Sequence, residues 1–106
     1  MIVVIVSVCA LAALSAKAAD ARENWGKHCA GCHGSNGDGK TRMGEKLNAK
    51  DYTDPKVQAE MKDAEMIKAI KEGFRRGNSS RMKAFGDVLS DDEVKDLVKL
   101  IRGFKK

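Results

Sequence analysis

Two cysteines stand three residues apart, Cys29 and Cys32, and a histidine, His33, directly follows the second. One turn of helix places both thiols where they can add to the two vinyl groups along one side of a single porphyrin. The imidazole then lies beside the second thioether, with a nitrogen to offer an iron. Cys-x-x-Cys-His is for this reason the attachment signature of a c-type haem. Rival chemistries use less of the pattern. A redox-active dithiol sits at a helix start after a strand, and no strand pattern precedes Cys29. A structural zinc wants four ligands, and the pair has only His28 and His33 to add.

A haem held by His33 leaves one axial position. It is either open, for gas binding or catalysis, or closed by a second ligand for electron transfer. Past the leader the chain offers Met43, Met61, Met66 and Met82, with His28 as the other imidazole. His28 sits on a turn that Cys29 already directs at the porphyrin edge. Met66 falls on an apolar helix face, where a methionine usually fills core, and Met61 ends a short helix. Met82 differs: it lies in a polar stretch and is followed by Lys83-Ala84-Phe85. A polar loop has no core reason to hold a thioether, whereas an iron gives it one. The cofactor-binding set is therefore Cys29, Cys32, His33 and Met82, with His33 and Met82 on the metal.

These residues need elements to carry them. Residues 19–32 read as a first helix on which Trp25, His28, Cys29 and Cys32 share a face. Residues 34–39, Gly-Ser-Asn-Gly-Asp-Gly, are a loop by composition. Residues 42–52 follow without clear period and end at Tyr52. That tyrosine is either a hydrogen-bond donor to a buried propionate or a wedge with a wet hydroxyl. Asp54-Pro55 opens a short helix to about Met61. Asp63 reads as an N-cap for a helix over residues 64–72, stopped by Gly73. Residues 74–85 are basic and irregular. Ser90 with Glu93 forms a capping box, followed by an apolar stripe of Val94, Leu97, Val98 and Ile101. No strand and no internal repeat is read, and the fold class is all-α.

The chain has 106 residues, enough for one domain, and only one Trp, one Tyr and three Phe. Such a small aromatic supply makes a thin core, which a buried cofactor would complete. The formal charge of +5 favours an anionic partner surface. Basic and acidic residues interleave, which argues against nucleic acid. Met1 to Leu14 is almost wholly apolar and Ala16-Lys17-Ala18 supplies small residues at the −3 and −1 positions of a cleavage site, although no Lys or Arg precedes the run. Residues 1–18 read as a secretory signal peptide cut before Ala19, with an uncleaved anchor as the alternative. The run is short for a membrane span, so no stable membrane insertion of the mature chain is expected. Cleavage also removes Cys9, leaving the Cys29–Cys32 pair.

Together these residues resemble a class I monohaem cytochrome c, of the small bacterial kind that includes the c6 and c5 types. The resemblance spans residues 20–104. It rests on Trp25 four residues before the first Cys, the Cys29–His33 motif with Gly34, the segment Met82-x-Ala84-Phe85, and Leu89-Ser90 opening the last helix. It implies a cytochrome c fold of three to five short helices wrapped around one covalently bound haem, in a domain over residues 19–106. It also implies crossed first and last helices, with Trp25 meeting Leu97, Ile101 or Phe104. By the same resemblance His33 and Met82 are axial ligands in a periplasmic, monomeric electron carrier rather than an enzyme. Arg75, Arg76, Arg81 and Lys83 lie close in sequence to Met82, and Lys27 and Lys40 flank the motif, a basic rim that would draw redox partners with acidic docking surfaces, such as a terminal oxidase, reductase or dehydrogenase. A haem-based gas or redox sensor with a weak or open sixth site is the alternative. Two positions depart from the family: Lys83 stands where Pro often follows the axial Met, and Met43-Gly44 lacks the Pro whose carbonyl would orient the proximal imidazole.

Overall fold

A computed structural model describes residues 2–4 and 20–106. Apart from residues 2–4, the expected export segment and its cleavage site lie outside the described residues. The first helix, α1, covers residues 21–33: α-helical over Ala21–Asn24, π-helical over Trp25–Cys29 and α-helical again over Ala30–His33. Asp20 starts it by accepting a hydrogen bond from the Arg22 amide at 2.9 Å, a side-chain cap for an otherwise orphan donor. In the π segment the Ala30 amide bonds the Trp25 carbonyl. Such a bulge is a device often found at functional sites, and here it lies directly under Trp25, His28 and Cys29.

Three short helices follow: α2 (Arg42–Leu47), α3 (Pro55–Glu60) and α4 (Asp63–Glu72). The first is not marked by periodicity. Thr41 caps it by accepting from the Gly44 amide, and Asn48 ends it in the left-handed conformation. Asp54 caps α3 ahead of Pro55, as the sequence predicts. Asp63 is not the N-cap of α4; Lys62 holds that position. The Asp63 carboxylate instead pairs with Arg102, its Oδ1 2.8 Å from Nη2, so a long-range charge claims what local sequence assigned to the cap.

The basic segment after Gly73 forms a two-stranded antiparallel hairpin, β1 (Phe74–Arg76) and β2 (Ser79–Met82). This corrects the expectation of no strand, although the chain remains an all-α protein with one small hairpin. The last helix, α5 (Asp91–Arg102), carries the full capping box at Ser90 and Glu93. Its apolar stripe is the centre of the core: Val94 and Leu97 are wholly buried and Val98 and Ile101 nearly so. Each such side chain contributes about 2 kcal/mol by leaving water. Helices α1 and α5 pack together. Trp25 meets Phe104 with ring centroids 5.0 Å apart, and the Asn24 amide donates to Glu93 Oε2 at 2.8 Å.

Candidate functional site

The helices and the hairpin enclose a cavity of about 600 Å³. Cys29, Cys32, His33 and Met82 all line it, together with Trp25, Tyr52 and Phe85. Three local arrangements bring the first three there. The α1 helix presents Cys29 and Cys32 one turn apart. Thr41 ties the end of α1 by donating to the Cys32 carbonyl, and Gly39 donates to the His33 carbonyl at 2.8 Å. Gly44 packs so closely that a β-carbon there would collide with the carbonyls of Gly39 and Cys32.

Met82 arrives from the opposite half of the sequence. Gly73 closes α4 at φ +78° and ψ −176°, and a β-carbon on it would sit 2.6 Å from the Met82 carbonyl oxygen. Only glycine takes that backbone conformation without strain, so the close approach of strand and helix end depends on it. Beyond Met82, the amides of Phe85 and Gly86 donate to the carbonyls of Ile70 and Lys71 at 2.9 and 3.0 Å. The segment around Met82 is thus clamped to α4 on both sides. Met61 and Met66 also line the cavity, whereas Met43 is exposed and does not. His28 lines it too, its ring 5.4 Å from Phe85.

The imidazole of His33 lies between two aromatic rings. Tyr52 stacks on it at 5.3 Å and 24°, and Trp25 tilts over it at 5.7 Å. Trp25 is fixed in turn by its indole N–H, which donates to the Gly34 carbonyl at 2.9 Å. The carbonyl expected to orient His33 is not there. Its Nδ1 is buried with no hydrogen-bond partner. Tyr52 therefore has a role that sequence reasoning did not assign: its ring packs against the imidazole. Gln58, also missed, is buried in α3 and donates to the Tyr52 and Ile101 carbonyls at 2.7 and 2.8 Å.

Burial holds the His33 pKa below its ordinary value, so the imidazole keeps the lone pair that a metal requires. Burial, and secondarily the neighbouring Cys32 thiol, pushes Cys29 up to about 11. A dithiol redox pair needs the reverse, a thiol made acidic by its surroundings. Burial, with a smaller effect from Cys29, raises Tyr52 as well. These residues suit a haem on three counts. The cavity has the size of a cofactor site. Both thiols are free and reach it. The imidazole beside them, kept neutral by burial, lines the same cavity.

The family described as cytochrome c oxidase, cbb3-type, subunit III has a model that matches residues 16–101. Among solved structures the chain is similar to the KustC0563 c-type cytochrome, at 38 % identity and a TM-score of 0.73, over 82 % of this chain and 99 % of that one. It is likewise similar to a tyrosine-to-phenylalanine mutant of Kustc0563, at 37 % identity and a TM-score of 0.70, over 81 % and 99 %. No curated protein matches. Among the described residues, no helix is long and apolar enough to cross a membrane.

Proposed function

The chain belongs to the c-type cytochrome family of that model, as a monohaem class I cytochrome c with covalently bound haem c; we propose that it is a periplasmic one-electron carrier whose iron is ligated by His33 and Met82. Haem-based electron transfer follows from the family. The finer reading rests on one observation: Met82, about fifty residues from the motif, lines the same cavity as Cys29, Cys32 and His33. When bound, the haem supplies a reversible one-electron couple.

The residues divide the remaining work. Cys29 and Cys32 hold the group by two thioethers, which keeps it on the protein through repeated cycles. His33 offers a neutral imidazole nitrogen, its ring position fixed by Tyr52 and Trp25. Met82 offers a soft thioether that favours the reduced state and so raises the potential above that of two imidazoles. Apolar wall residues such as Ile70, Leu97 and Phe85 exclude water and disfavour added positive charge, in the same direction. Were His33 and Met82 both to hold the iron, no open position would remain for a substrate, which is the character of a carrier rather than an enzyme. Arg75, Arg76 and Lys83 lie on or beside the hairpin that carries Met82, all exposed. Such charge draws acidic redox partners to this side. Export by residues 1–18 would deliver the chain to the periplasm, where c-type haem is attached.

The test is the absorption spectrum of reduced and oxidised protein together with its mass. Wild type should show the added mass of one haem on a chain starting near Ala19, and the near-infrared band of methionine bound to ferric iron. Met82→Ala should lose that band and lower the potential, while Met61→Leu and Met66→Leu keep it. An unchanged band in Met82→Ala removes Met82 from the site. Rapid carbon monoxide binding by reduced wild type would replace the carrier with a sensor.

A further inference from the structure

Arg81 buries a guanidinium nitrogen that the protein does not satisfy. Its Nε is shielded from solvent and has no hydrogen-bond partner, and the residue lines the cavity next to Met82. A guanidinium cannot shed its charge at any physiological pH. A buried donor on a charged group, left unmet, is strongly unfavourable. Glu65 is the one carboxylate among the described residues lining the cavity, and it is not the partner of that nitrogen.

The backbone explains how Arg81 reaches the cavity at all. Along a regular strand, consecutive side chains point to opposite faces, so Arg81 and Met82 should part. In this hairpin Phe74 pairs with Met82 but Arg75 pairs with Ser80, an irregularity that leaves Arg81 as the extra residue. A bulge of this kind re-aims a side chain beside a site. Here it turns two successive residues to one cavity, the first a fixed cation and the second a thioether.

We propose that Arg81 holds a propionate carboxylate of the haem, its Nε–H donating to a carboxylate oxygen. A planar guanidinium and a carboxylate match in shape and charge, and of the cations among the described residues lining the cavity, Lys50, Lys62, Arg81 and Lys83, Arg81 is the one with a buried, unpartnered donor to offer one of the two haem carboxylates. The pairing keeps a positive charge beside the ring and so disfavours the oxidised state. The proposal rests on covalent haem and not on Met82 as ligand; colourless protein would refute the haem reading, whereas the outcomes below concern the arginine in the coloured holoprotein.

The experiment compares Arg81→Gln and Arg81→Lys with Arg75→Gln, which removes an equal charge from the same hairpin at a residue off the cavity wall. Resonance Raman spectra of the reduced holoprotein report the propionate bending mode, and redox titration gives the midpoint potential. Arg81→Gln should shift the mode and lower the potential more than Arg75→Gln does. Arg81→Lys should restore most of the potential, since charge returns, while the mode stays shifted because the planar donor is gone. A propionate mode unchanged in Arg81→Gln overturns the proposal, as does a fall in potential equal to that of Arg75→Gln. Where Arg81→Gln also loses the methionine–iron band, Arg81→Lys decides, and an unshifted mode in it is the refuting result.

Discussion

Gln58 is the buried polar residue on which the haem-side loop depends, and its removal has a calculable effect. In Gln58→Leu the shape is nearly kept but both amide donors are lost. The Tyr52 carbonyl, which accepts from Gln58 Nε2 at 2.7 Å, then has no replacement donor, and an unmet buried carbonyl costs roughly 1–3 kcal/mol. The Ile101 carbonyl is less exposed to the loss, because it also accepts from the Phe104 amide at 3.1 Å; here only the net value of one bond goes, about 1 kcal/mol. Arg102 keeps the Gln58 backbone carbonyl at 2.6 Å when it loses Oε1 at 3.2 Å. The sum is about 2–4 kcal/mol, and for a domain of this size that lowers Tm by roughly 10–25 °C. Thermal unfolding of the holoprotein, followed by far-ultraviolet circular dichroism, measures it. Lys56→Leu, an exposed change on the same helix, should stay within about 0.5 kcal/mol of wild type. A Gln58→Leu midpoint within the spread of Lys56→Leu would refute the brace, and with it the account of how Tyr52 is kept against His33.

Other outcomes follow from the same contacts. Gly73→Ala forces a left-handed φ of +78° on alanine and drives its methyl into the Met82 carbonyl; it should cost at least about 2 kcal/mol and weaken the methionine–iron band, which near-infrared spectra would show. Acid should release His33 from iron. Burial lowers its pKa from 6.5, and a bound metal would hold the lone pair further against protons, so the unfolded chain takes the proton first and the stability His33 contributes, full above pH 6.5, is lost only as pH falls below it. An acid titration of the visible spectrum whose only transition lies above pH 6.5 would contradict this. Electron-transfer rates to an acidic partner should fall steeply as ionic strength rises and the Debye length shrinks from about 30 Å to about 8 Å; flat rates would leave the basic hairpin without a part in docking.

What can be read along the chain is whatever is encoded within one turn. The Cys29–His33 spacing, the Asp54-Pro55 start and the Ser90–Glu93 box all involve partners at most four residues apart, so the sequence displays both halves of each. The helix Arg42–Leu47 has fewer than two turns, too few to repeat a pattern, and is held by its caps. Asp63 reads locally as a cap because its actual partner, Arg102, is 39 residues away. The hairpin is invisible for another reason: every residue of Phe74–Arg76 is exposed, so no alternation of apolar and polar residues marks it. The bulge at Arg81 belongs to the register between two strands and to neither strand alone. Likewise the stack of Tyr52 on His33 is a tertiary contact between residues 19 positions apart, which no local pattern displays.

This division of labour shapes how substitutions in the site must be read. Of the ten buried apolar residues forming the core among the described residues, seven also line the cavity: Trp25, Cys29, Met61, Ile70, Phe85, Leu97 and Ile101. Only Leu89, Val94 and Val98 belong to the core alone. The cavity is therefore an interior that the side chains do not fill by themselves, in a domain with few large aromatic residues, and covalent haem c completes it. Folding and cofactor attachment are coupled by that geometry, since leaving an apolar space of this size bare forfeits contacts on every wall. A change at Leu97 or Ile70 will then move the potential by altering the dielectric around the ring, and a change at Cys29 will move stability. Loss of activity alone cannot separate the two. Spectral bands that report the ligand can, which is why Met82 and Arg81, both outside that set of seven, are the positions where chemistry can be changed with least damage to the core.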